Sequence, residues 1–163
     1  MATRIEAIIF DGDPETAALP MGLRAVPLPG ELTMVPVTDE VASELDPDAI
    51  GDERIPANWN LQQPVAALAR ALSRDRQVVY FLSETWAGPG IRESIAWRAG
   101  QLLYGPSGTC DIEADLEPGY QLEPGDNAVN AALRAIGVQA TDGRDEYVTV
   151  GLDKHRMTDD WLS

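Results

Sequence analysis

The chain carries one histidine, His155, and one cysteine, Cys110, and these two counts limit its chemistry before any fold is considered. A single histidine rules out a two-histidine metal site and the zinc-binding helix motif built on one. Cys110 and His155 are a conceivable nucleophile and base. Cys110 sits among acids, however, and negative neighbours keep a thiol in its protonated, inert form. We therefore expect no catalytic pair, and read His155 in Asp153-Lys154-His155-Arg156 as a surface or interface residue. Asp111, Glu113 and Asp115 alternate and can point three carboxylates one way. Calcium asks for roughly six to eight oxygens around a glycine-centred loop, which is missing there, so a solvated acidic edge is expected. Gly88-Pro89-Gly90 lacks the Lys-Ser/Thr and the helix start of a phosphate loop. It should be a bend between two strands. Of Trp59, Trp86, Trp97 and Trp161, only Trp86 falls in that bend and is expected to be exposed and to mark a contact.

The run Phe10-Asp11-Gly12-Asp13-Pro14 follows an apolar strand and resembles the first motif of haloacid-dehalogenase-type phosphatases. Gly125-Asp126-Asn127 is similar to their acidic magnesium motif, and Ser83 ends a strand as their second motif does. The resemblance implies an aspartate nucleophile and a magnesium ion held by Asp11, Asp13 and Asp126. Phosphoryl transfer also needs a cation on the transferring group. In that family it is a lysine or arginine placed before the last acidic motif. Here the only lysine, Lys154, comes after it. A turn built from Asp, Gly and Pro is the expectation, with a magnesium-dependent hydrolase as the alternative.

The 163 residues suit a single domain, and a hydrophobic fraction of 44% is enough for a core. Twelve Lys and Arg stand against 27 Asp and Glu, a formal charge of −15. Such a field repels nucleic-acid backbones and anionic membranes and attracts a basic protein. One cysteine permits no internal disulfide, which fits a reducing compartment. No apolar run is long enough to span a bilayer, and the first residues do not read as a secretion signal. A soluble, cytoplasmic protein is expected.

The elements that would position these residues can be read in order. Arg4–Phe10 should be a strand, residues 19–30 an extended passage, and Thr33–Val37 a short strand that Pro36 confines to an edge or to its last residue. Thr38 is placed to cap a short helix. Residues 46–59 should form a mobile acidic loop. Val65, Leu68, Ala69 and Leu72 make the apolar stripe of a helix over 62–73. Val78–Leu82 is apolar without alternation, as in a central strand. Ile91–Arg98 and Gln101–Tyr104 should pair around a tight turn at Ala99-Gly100, with Glu93 interrupting an otherwise apolar side. Residues 106–125 read as loop, 126–136 as a helix capped by Asp126, Tyr147–Leu152 as a strand, and Thr158–Trp161 as a final helical turn.

A second resemblance covers roughly residues 30–162. Glu84 followed by Trp86-Ala87-Gly88-Pro89-Gly90-Ile91-Arg92, then the hairpin Ile95–Gly100, resembles a family of uncharacterised small acidic actinobacterial proteins. In that family an aromatic, Gly-Gly-x-Gly-x-Gln loop precedes an Ala/Val-x-Trp-Arg-x-Gly hairpin; Ala87 and Arg92 stand where it has Gly and Gln. Asn130–Val138 is similar to its terminal helix, and Asp145-Glu146-Tyr147, Gly151–Arg156 and Asp160-Trp161 to its close. The resemblance implies no activity; proteins of this kind are sometimes encoded beside toxins as immunity proteins.

These readings converge on one α+β domain, a mainly antiparallel sheet with two principal helices on one face. The expected function is non-catalytic protein binding of immunity type, with a basic protein or toxin as partner. No cofactor, nucleic acid or membrane is expected, and nothing signals an oligomeric state. Trp86, Gly88, Gly90, Arg92 and His155 are the candidate binding residues.

Overall fold

A strand that is apolar along its whole length must be covered on both faces, and Val78–Leu82 is so covered. The computed structural model of the protein describes residues 2–12, 19, 22–86, 90–112, 118–123 and 126–162. Among them are the strands β1 (Thr3–Asp11), β2 (Val26–Leu28), β3 (Leu32–Pro36), β4 (Gln77–Thr85), β5 (Gly90–Arg98), β6 (Gln101–Cys110) and β7 (Tyr120–Leu122). They form one sheet in the order β2-β3-β1-β4-β5-β6-β7, which puts β4 in the middle. Every pairing is antiparallel except β6 with β7. The helices are α1 (Asp39–Glu44), α2 (Gln63–Leu72), α3 (Ala128–Ala135) and α4 (Glu146–Thr149). The α+β class is as expected.

The two principal helices lie on opposite faces of the sheet, not on one. Ile8, Phe10, Tyr80, Leu82, Ile95 and Trp97 pack with Val65, Ala66 and Ala69 of α2. Ile5, Ala7, Ile9, Val79, Phe81 and Ala96 alternate with them and pack with Val129, Ala132 and Leu133 of α3. Strand periodicity separates the two sets. The 3.6-residue stripe of a helix shows that it buries a face, but not which side of the sheet receives it.

Local chemistry accounts for most element ends. Thr38 caps α1 by accepting from the Val41 amide. Pro36 is the last residue of β3, which lies inside the sheet between β2 and β1. Ala99 and Gly100 both have positive φ, +52° and +74°, as a two-residue hairpin turn of the primed type requires. Strand β6 runs on through residues 106–110, where a loop was expected. The register shifts between Ser94 and Ala96, opposite Gly105-Pro106, and a bulge is where a sheet tolerates a proline without an N–H. Residues 147–152, expected as a strand, are instead α4 and a 3-10 turn. The Asp145 carboxylate caps α4 at Val148, and Gly151 at φ +83° ends it.

Residues 46–59 are irregular but anchored. Gly51 lies so close to Ala66 and Ala67 that any side chain would overlap the α2 backbone. Asp52 is 3% exposed, and Ile55 and Trp59 are buried. At the far end of the chain, Thr158 accepts from the Glu6 amide at 3.1 Å and donates to the Arg4 carbonyl at 3.1 Å. The Arg4 amide donates to the Arg156 carbonyl at 2.8 Å. The last turn is thereby held along β1, with Trp161 in the core as expected.

Candidate functional site

The antiparallel register brings the start of β1, the end of β4, the start of β5 and the end of β6 to one end of the sheet. Thr3 pairs with Thr85, Thr85 with Gly90, and Ile91 with Cys110. The parallel partner β7 adds Leu122 opposite Cys110. Trp86 (41% exposed), Ile112, Leu122 (48% exposed) and Met157 are exposed here, Met157 because it bridges Arg4 at the start of β1. Among the described residues only Ile50, of the exposed large apolar side chains, lies elsewhere.

On the α3 face of this same end the sheet is not fully covered, and a cleft of about 280 Å³ opens. Its floor is Thr3, Ser83, Thr85 and Arg92, neighbours across β1, β4 and β5. Its walls are Asn127, at the head of α3, and Asp145, Tyr147, Asp153, His155 and Arg156 from the C-terminal segment. Asn127, not Asp126, caps α3, its Oδ1 accepting from the Val129 and Asn130 amides at 3.0 Å. Asn130 then joins the walls, donating to Asp145 Oδ2 at 3.1 Å and accepting from the Tyr147 amide at 2.8 Å.

Arg92 organises the floor. Its Nη1 lies 3.2 Å from Glu123 Oε2 and 3.7 Å from Asp111 Oδ2. Glu123 also accepts from Thr109 Oγ1 at 2.8 Å, and Asp111 Oδ1 from the Gly90 amide at 2.7 Å. Tyr147 stands above it. Burial pushes its phenol up to about 12; Arg92 opposes the shift, Asp153 and Asp145 add to it, and a hydrogen bond with Ser83 moderates it. The hydroxyl is therefore protonated, and a donor, across the physiological range. The His155 ring lies edge to face with Trp161, centroids 4.8 Å apart.

Of the residues singled out in the sequence, Arg92 and His155 meet in this cleft. Gly90 sits at its edge and Trp86 beside it, while Gly88 lies outside the described residues. Asp11 and Asp126 do not meet. Asp11 is at the opposite end of β1, accepting from the Gln77 amide at 2.9 Å, and Asp126 pairs with Arg134 near the head of α3. Asp13, Glu113 and Asp115 lie outside the described residues. Cys110 is buried on the α2 face, across the sheet from His155.

A second polar cluster is buried on the α2 face. Glu93 is fully buried, and accepts from the Asn60 and Leu61 amides at 2.8 and 2.9 Å, from Asn60 Nδ2 at 3.1 Å, and from the Tyr120 hydroxyl. Glu6 accepts from Tyr80 at 2.6 Å and Gln62 Nε2 at 3.0 Å. Burial raises its carboxyl above the usual range, against the opposing pull of these bonds and of Arg4. Burial and the Glu6 carboxylate likewise raise the Tyr80 phenol. The break that Glu93 makes in the alternation of β5 was the sequence signal for this cluster. Asp145 and Tyr147 fall in one run that carries a resemblance and Asn127 in another, but nothing in those runs points to a cleft, because these residues reach it from helices and turns far along the chain.

Comparison with protein-family models, curated proteins and solved structures finds no match for this chain.

Proposed function

We propose that the protein is a non-catalytic binding protein of immunity type that presents the Trp86 end of its sheet to a basic protein. The observation that carries this is the convergence of Trp86, Ile112, Leu122 and Met157 on one end of the sheet. Interfaces combine exposed aromatic and aliphatic anchors with a polar rim, and Glu84 and Asp111, partly exposed at the same strand ends, belong to such a rim. The formal charge of −15 selects a cationic partner and speeds the encounter.

The test is co-purification from the native host of the tagged chain and of Trp86→Ala and Leu122→Ser variants. One basic protein, retained in stoichiometric amount by the parent, lost from both variants and released as salt rises, is the expected result. A parent that retains no such protein at low salt, or variants that retain it equally, would overturn the reading.

A further inference from the structure

We infer that the cleft beneath Tyr147 is a binding site for a small zwitterion, a molecule with a carboxylate and a protonated amine such as a free amino acid. This goes beyond the partner reading and does not depend on it. The cleft has one cation, Arg92, in its floor, and two carboxylates, Asp145 and Asp153, beside His155 and Arg156 in its walls. Every side-chain hydrogen bond from Arg92 to a described residue leaves from Nη1, and we assign its Nε–Nη2 edge to a ligand carboxylate. Guanidinium groups bind carboxylates through two parallel bonds. The Tyr147 hydroxyl adds a neutral donor beside it, and the hydrogen-bonded Thr3–Thr85 hydroxyl pair leaves one more.

Across the cleft, Asp145 uses one oxygen on the Val148 amide and the other on Asn130. It keeps lone pairs for a third donor, since a carboxylate accepts about four. Asp153 accepts no hydrogen bond from a described residue. These two carboxylates, set against Arg92 and Arg156, give the lining both signs of charge, as a zwitterion requires. A phosphate or a dicarboxylate would leave both carboxylates without a cationic group from the ligand, whereas an ammonium group beside the bound carboxylate satisfies them. The size agrees: about 280 Å³ is at or below the lower limit of pockets that enclose drug-sized ligands. With mainly polar side chains lining it, the cleft suits a compact, hydrophilic molecule rather than a lipid or nucleoside.

The probes are the twenty L-amino acids, each titrated by heteronuclear NMR, with acetate, methylamine and inorganic phosphate as controls. We expect at least one amino acid to bind in the millimolar range or tighter and to shift the Tyr147 and Asp153 amides, with each control weaker by at least about tenfold. Tyr147→Phe keeps the ring and removes the donor, and should weaken binding about tenfold with the fold intact. Asp153→Asn should remove the preference for an amino acid over acetate. The inference fails if no amino acid binds below about 10 mM, if phosphate or acetate binds as well, or if neither variant changes the affinity.

Discussion

Glu6 and Glu93 stand on one row of the sheet, each paired across the strands with Leu82, and both are buried on the α2 face. They are not equivalent. Glu93 receives four donors, two at each oxygen. Glu6 receives Tyr80 and Gln62 Nε2 at the same oxygen, and its other oxygen faces Arg4 at 3.5 Å.

Neutralising Glu6 should therefore be tolerated. Its carboxyl titrates above the ordinary 4.5, so the folded state holds the proton more tightly than the unfolded one. This contribution to stability is fully present below pH 4.5 and is lost as pH rises through the folded value. Glu6→Gln, whose amide oxygen accepts from both Tyr80 and Gln62, should be at least as stable as the parent at pH 8 and less dependent on pH above 4.5. Urea unfolding across pH 4.5–8 checks this; a variant clearly weaker at pH 8 contradicts it.

The same change at Glu93 should be costly. An amide turns one of its faces into a donor, which would confront donors already fixed in the buried cluster. Glu93→Gln should cost about 1–3 kcal/mol and lower Tm by several degrees, about 2–4 °C per kcal/mol. Calorimetry of the two variants side by side separates the roles, and equal melting temperatures would contradict them.

Asp52 should behave oppositely to Glu6 with pH. Burial pushes its carboxyl up, but the Arg54 amide, the Trp97 indole and the Arg54 and Arg70 guanidinium groups outweigh it and hold it below 3.8. The resulting stability is present above pH 3.8 and is lost as pH falls through the lower, folded value. Asp52→Asn should lose about 1–3 kcal/mol at pH 7 and progressively less at lower pH. Trp97 fluorescence reports it directly, since its Nε1 donates to Asp52 at 3.0 Å.

Trp86→Ala should leave folding almost untouched, within about 0.5 kcal/mol, because the ring is exposed and at a strand end. Trp97→Ala, at full burial, should cost about 3–5 kcal/mol. Chemical denaturation of both distinguishes a surface anchor from a core one.

The features legible in the sequence were those set by neighbours along the chain. Val78–Leu82 declared a central strand by its composition, Ala99-Gly100 a turn by its backbone freedom, and Thr38 a cap by its hydroxyl. Features set across the fold were not legible. Pro106 reads as a strand breaker until a bulge opposite it is known, and Tyr147–Leu152 has strand-forming residues but also a cap in Asp145. Arg92 and His155 were singled out separately; that they share a cleft depends on α3 lying over β5 and on the last turn lying along β1.

That last turn also sets a timetable. Domains made on the ribosome emerge from the N-terminus first. A nascent chain halted after α3 already holds the seven strands of the described residues and both principal helices, yet lacks Asp145, Tyr147, Asp153, His155 and Arg156. The scaffold can thus assemble while the cleft is still unmade. The cleft takes shape only once the segment from Asp145 to Thr158 has emerged and Thr158 has drawn it along β1.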